Sequence, residues 1–254
     1  MQRKCLLLHL SAVVNTFDMS LTKYIIAVIS TICLCSCAMD NTLQYNNVTL
    51  GNFVDGGFIS DQGLRYNITE LSCNQFSDTL KRAMISCDVL GRNEDGGYDI
   101  NLTGINAIFT KEPVDSTTVS DEEMLAENPM NIGEVWYSGG YLNMLIYIPV
   151  KEGSKQAHLI NLVRNDENAE SGIYEFTFKH NAFGEVITSQ DSDFITSSTY
   201  VSFPIAQLCK KDETQIEVIL NWTSNVEKEG ILSSETKRNT ISLAVERIGY
   251  EHQF

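Results

Sequence analysis

Positive charge is scarce in this sequence. Lys and Arg number 18 against 33 Asp and Glu, a formal net charge of −15. Such a balance aids solubility and disfavours phosphate backbones as partners, so a nucleic-acid ligand is not expected. No apolar run approaches the roughly 20 residues that a membrane-spanning helix needs. There is no CxxC and no second His/Cys cluster, which argues against a structural zinc site. A nucleophile elbow, a phosphate loop, a HExxH helix and a dinucleotide fingerprint are all missing. Asp166-x-Asn168-x-Glu170 and Asp191-x-Asp193 offer oxygens, but neither has the remaining ligands and glycine of a calcium loop. The histidines beyond the leader are His158, His180 and His252. His180 continues an apolar face near a strand end, where a hydrogen-bonded structural role is expected. No catalytic residue, metal or cofactor is therefore assigned, and the expectation is a protein that is not an enzyme.

What is present begins with Lys23 to Cys37, KYIIAVISTICLCSC. A basic residue precedes an apolar stretch of about the length of a signal-peptide core, roughly 7–15 residues. It ends in Leu34-Cys35-Ser36-Cys37, which resembles the lipobox of bacterial lipoproteins. Of the cysteines at this spot only Cys37 follows a small residue, so Cys37 is the expected lipidation site. Residues 1–36 read as the signal-peptide region, with Met19 as the true start: Asn15 and Asp18 interrupt the apolar stretch before it. Residues 37–44 read as a lipidated tether. One acyl chain binds a membrane only marginally at about 0.8 kcal/mol per buried CH₂, whereas two or three give durable attachment. The expected location is the cell envelope, with the membrane as partner through the lipid. Ala38-Met39-Asp40 has no acidic residue directly after Cys37, which favours the outer membrane.

Removing 36 of 254 residues leaves 218, with 15 basic against 32 acidic residues and a charge of about −17. Cys73, Cys87 and Cys209 then remain. They are either one disulfide plus a thiol or three thiols; spacing alone does not decide.

The mature chain reads as all-β. Residues 45–112 carry about five short strands separated by Asp55-Gly56-Gly57, Asp61-Gln62-Gly63 and Asp95-Gly96-Gly97. A closed barrel removes the edges of so small a sheet, and a five-stranded OB-type barrel is expected. Residues 113–133 read as a linker with one short helix, capped by Ser120-Asp121-Glu122-Glu123 and stopped by Pro129. Residues 134–254 show period-2 runs, clearest in Ile216, Val218, Leu220 and Trp222. Leu142, Met144, Ile146 and Ile148 share one face of a run that is apolar on both sides, as a central strand would be. Six or seven strands here predict a C-terminal β-sandwich.

Val48-Thr49-Leu50-Gly51-Asn52-Phe53 followed by Phe58-Ile59-Ser60-Asp61-Gln62-Gly63 resembles the opening of NigD-like proteins. Gly133-Glu134-Val135-Trp136-Tyr137-Ser138-Gly139-Gly140-Tyr141-Leu142-Asn143 and His180-Asn181-Ala182 extend the resemblance in the same order. It implies a lipoprotein anchor, an OB domain and a β-sandwich, together with a role in bacteriocin immunity; it brings no catalytic or binding residues. The expected function is binding, either of a cationic peptide by the anionic body or of a glycan or envelope protein as an accessory subunit. Trp136, Tyr137 and Tyr141 around Gly139-Gly140 are the candidate ligand-binding residues. Exposed, they would stack on a sugar or a partner's side chain; buried, they would be hairpin and core packing.

Overall fold

The computed structural model describes residues 47–74, 79–118, 122–165, 172–187, 193–210, 213–228 and 231–245. The leader, Cys37, the tether, Ser120, Asp121, Asp166, Asn168, Glu170, Asp191 and His252 lie outside the described residues.

The first five strands are β1 (Asn47–Val54), β2 (Gly57–Ser60), β3 (Arg65–Leu71), β4 (Arg82–Arg92) and β5 (Tyr98–Ala107). They close into a barrel in the order β1-β2-β3-β5-β4, with β1 pairing both β2 and β4 and with β3 parallel to β5. That is the five-stranded Greek-key closure of an OB-type barrel. The β1–β2 turn has positive φ at both Asp55 (48°) and Gly56 (78°), the backbone that an Asp-Gly hairpin favours. Gly51 is dictated by proximity, since a Cβ there would lie 2.1 Å from the carbonyl oxygen of Ile59. Phe58, Tyr66, Ile85, Ile100 and Leu102 fill the barrel, with Cys87 buried among them. Cys73 packs against the same cluster, and Cys73, Cys87 and Cys209 are all thiols.

The second layered body has a five-stranded and a four-stranded sheet. Its strands are β6 (Phe109–Thr110), β7 (Val114–Asp115), β8 (Asn131–Ser138), β9 (Tyr141–Lys151), β10 (Leu159–Asn165), β11 (Ile173–Asn181), β12 (Phe194–Pro204), β13 (Gln215–Lys228) and β14 (Ile231–Ala244). One sheet runs β14-β13-β11-β10-β7 and the other β6-β12-β9-β8. Between them lies a core of Leu142, Met144, Ile146, Tyr174, Phe176, Phe178, Val201, Phe203, Val218 and Leu220, among others. Burying each such side chain contributes about 1.5–3 kcal/mol, which is why alternating apolar residues hold these strands face to face. β9 is central in its sheet, as its two-sided apolarity predicts. Pro204 ends β12, where the chain bends into a 3₁₀ turn at Ala206–Leu208.

The all-β architecture of barrel plus sandwich thus stands; among the described residues the connector holds one α-helical turn, α1 (Glu122–Leu125). β6 and β7 are an addition: 109–110 and 114–115 pair with β12 and β10 and belong to the sandwich sheets. Two-residue strands carry no periodicity by which a sequence would show them. Residues 45–254 form one compact unit.

Candidate functional site

The first candidate is a polar hub where the barrel meets the sandwich. Arg82 opens β4 and is only 2% exposed. Its Nη1 and Nη2 each donate to one carboxylate oxygen of Asp61 at 2.8 Å, the bidentate geometry that suits a guanidinium. Nε donates to Ser202 Oγ at 3.0 Å, Nη2 also to Asn143 Oδ1 at 2.9 Å, and Nη1 also to Asn52 Oδ1 at 3.4 Å. These contacts use the donor capacity of the guanidinium in full. The ring of Tyr141 lies 3.9 Å from Arg82 Cζ, a cation–π contact.

The remaining groups satisfy one another. Ser138 Oγ donates to Asp61 Oδ2 at 2.5 Å, and Ser202 Oγ donates to Asn143 Oδ1 at 2.7 Å. Asn143 Nδ2 donates to Ser138 Oγ and to the Tyr141 carbonyl, both at 3.1 Å. Asn52, Asp61 and Arg82 come from the barrel; Ser138, Tyr141, Asn143 and Ser202 come from the sandwich. Burial raises the Tyr141 phenol pKa, and the nearby Arg82 charge partly offsets that rise. With its hydrogen bonds made, this network fixes one docking pose; half-made, it would cost more than an apolar contact.

The Gly139-Gly140 turn closes over it. Both residues have positive φ (57° and 83°), and a Cβ on Gly139 would stand 2.2 Å from Asp61 Oδ1. The motif residues around positions 61 and 138–143 therefore converge on one buried contact.

The sequence-derived candidates Trp136, Tyr137 and Tyr141 separate in space. Tyr137 is half-buried and packs against the sandwich core. Tyr141 is held against Arg82. Trp136 alternates to the outer face of the sheet, half-buried, with its ring edge-on to Tyr200 at 6.1 Å. Arg82 and Asp61 were not singled out by sequence reasoning. Asp61 looks like a turn residue and Arg82 like one more surface cation; the one available signal is that Arg82 opens a run whose next residues, Ala83, Met84 and Ile85, are apolar.

A cleft of about 900 Å³ opens beside the hub, lined by Asn52, Lys81, Asn106, Lys111, Tyr141 and Pro204 among others. It mixes amides, cations and ring surface, a lining suited to binding. Arg82 also borders it, but its donors are already committed.

His180, Asn181 and Ala182 serve a second junction. The His180 amide donates to the Ala126 carbonyl at 3.0 Å, and the Asn128 amide donates to the His180 carbonyl at 2.8 Å. The Ala182 amide donates to Asn128 Oδ1, also at 2.8 Å. The His180 ring is buried; that burial first, and the neighbouring His158 second, lower its pKa to about 4. Ser154 Oγ donates to Glu185 Oε1. Among the described residues no group of three or more His, Cys, Asp or Glu is placed to hold a metal ion. Asp193 is exposed.

Residues 112–237 match the model of the NigD-like C-terminal beta sandwich domain. The fold is also that of several solved structures. A NigD-like immunity protein from Bacteroides caccae is 16% identical, with 74% of this chain and 89% of that chain covered at a TM-score of 0.54. A candidate lipoprotein from Bacteroides fragilis is 12% identical, with 79% and 98% covered at 0.57. A protein of unknown function from Bacteroides vulgatus is 16% identical, with 80% and 92% covered at 0.57. At these identities the likeness to solved structures concerns the fold. None of the curated proteins matches the sequence. With a sandwich that fits the family model and the barrel before it, the chain belongs to the NigD-like family.

Proposed function

We propose that this protein is a lipid-anchored cell-envelope protein that acts by binding, and that its role is protection against a cationic bacteriocin. The observation that carries this reading is the pairing of a lipobox at Cys37 with a head of about −17 charge. A dense negative charge near a membrane concentrates cationic peptides there, an effect that falls with salt. The family name, and the B. caccae structure described as an immunity protein, point the same way. The test compares cells expressing the chain with cells expressing Cys37→Ala, challenged with a panel of cationic bacteriocins while palmitate incorporation is followed. Labelling and protection that both vanish in the variant support the reading. An unlabelled, unprotected wild type that also binds none of the peptides in vitro defeats it.

A second reading, a glycan-binding accessory subunit, is favoured by the half-exposed Trp136 beside Tyr200 on the outer sheet face. Aromatic rings at such a position stack on sugar rings. Binding to a glycan array that survives Trp136→Ala would remove its basis.

A further inference from the structure

A chain of polar groups outside the hub runs from the connector towards the surface. The Asn128 carbonyl oxygen can only accept, so His180 Nδ1, 3.2 Å away, carries a hydrogen. Burial keeps the His180 ring neutral, with a pKa of about 4, so its Nε2 presents a lone pair. His158 Nδ1 lies 2.9 Å from that nitrogen and must therefore donate to it. On its other side His158 Nε2 faces Glu185 Oε2 at 3.6 Å. The Ser154 hydroxyl, first among several donors, holds the Glu185 carboxyl below the usual range, so Oε2 is a carboxylate oxygen.

A neutral His158 would set a lone pair against that oxygen. Both atoms are closed to solvent, and neither has a hydrogen-bond partner within 3.5 Å. Burying two acceptors against each other is costly. A direct 3.6 Å approach between closed-off atoms has room for a proton but none for a hydrated metal ion.

We propose that one proton shared between His158 and Glu185 completes this chain and makes it a clasp for the interdomain connector, engaged while the pair holds the proton and released when the proton leaves to water. The clasp acts on residues 126–128 through His180, whose backbone and ring bond Ala126 and Asn128. Among the described residues, these charged groups lie around the pair. Lys179 of β11 and Glu127 of the connector pair with each other beside His180. Lys151, Glu152, Lys155 and Asp193 lie on the turn side and are exposed. Among the described residues, Glu185 is the charged group that faces His158 Nε2.

The test uses the chain from residue 38 on, with ¹⁵N-labelled histidines, between about pH 5 and about pH 9. Expected at the acid end is a His158 ring with both nitrogens protonated beside a neutral His180 with its hydrogen on Nδ1. As pH rises, His158 Nε2 loses its proton, and amide protection at Asn128 and Ala182 falls about tenfold beyond the intrinsic pH effect, as expected for one lost charge-assisted hydrogen bond. In Glu185→Gln the side-chain amide can donate to a neutral His158, so the pH-dependent loss disappears. A wild-type His158 that is neutral throughout, or one that titrates without changing Asn128 and Ala182, overturns the proposal. So does a Glu185→Gln chain that keeps the wild-type pH profile. If that variant does not fold, the wild-type spectra decide alone.

Discussion

Asp61, in the turn after β2, and Arg82, at the start of β4, are 4% and 2% exposed, yet their hydrogen bonds reach the sandwich. Removing one member of such a pair strands the other without water, so Arg82→Met should cost about 3–5 kcal/mol in urea unfolding. Asp61→Asn should lose less, because the amide oxygen still accepts. A double-mutant cycle on the two positions should return a coupling of more than about 1 kcal/mol; additive effects would mean the pair is not acting as a unit. Gly139 offers a cleaner comparison. Gly139→Ala meets Asp61 at 2.2 Å and a φ of +57°, whereas Gly56→Ala has a φ of +78° and nothing within 4 Å. Thermal melts should show roughly 1 kcal/mol lost at Gly56 and roughly twice that or more at Gly139. Equal losses would show that Asp61 yields easily and that the turn does not cap the hub.

At the scale of elements, the connector is held at both ends. Lys111 hydrogen-bonds Asn161 of β10, Asn161 Nδ2 donates to the Met124 carbonyl of α1 at 3.1 Å, and residues 126–128 join β11 at His180. His180 gives this region a pH signature of its own. Its folded-state pKa is lowered from 6.5 to about 4, so its contribution is complete above the unfolded value and is lost as pH falls towards the folded one. Global stability should therefore drop by about 3 kcal/mol between about pH 6.5 and about pH 4, and this part of the slope should be absent in His180→Asn. A slope that the variant leaves unchanged would place the acid sensitivity elsewhere.

The long strands were legible because burial of one face imposes period-2 alternation. β11 and β13 show it, and their inward residues are those of the core; β9 is apolar on both faces and is legible as a central strand instead. The Asp55-Gly56 and Gly139-Gly140 turns were legible because positive φ selects their residues. β6 and β7 were hidden by their length, and the hub was hidden by distance in sequence. Nothing local to Asp61 says that residue 82 will meet it, or that Ser138 and Asn143 will close round both. Trp136, Tyr137 and Tyr141 are neighbours in sequence, but strand alternation sends Tyr137 inwards and Trp136 outwards. The barrel's arginine takes Tyr141.

For the whole molecule, the family-like stretches acquire a physical reading. Ser60-Asp61-Gln62-Gly63 and Ser138-Gly139-Gly140-Tyr141-Leu142-Asn143 build the hub, and His180-Asn181-Ala182 ties down the connector. These residues join two β bodies into one head, and the cleft and the outer face bearing Trp136 lie outside that joint. The charge of about −17 carried by residues 37–254 belongs to the same scale, and any capture of cationic peptides should weaken as salt is raised from about 0.05 to about 0.5 M. Binding that is indifferent to salt would point to an apolar contact instead. The central claim is that the Arg82 hub makes barrel and sandwich a single cooperative unit, and calorimetry of the chain from residue 38 on tests it most directly. The account predicts one transition with equal calorimetric and van't Hoff enthalpies in the wild type, and two separated transitions in Arg82→Met. Two transitions in the wild type, or a single unshifted one in the variant, would contradict it.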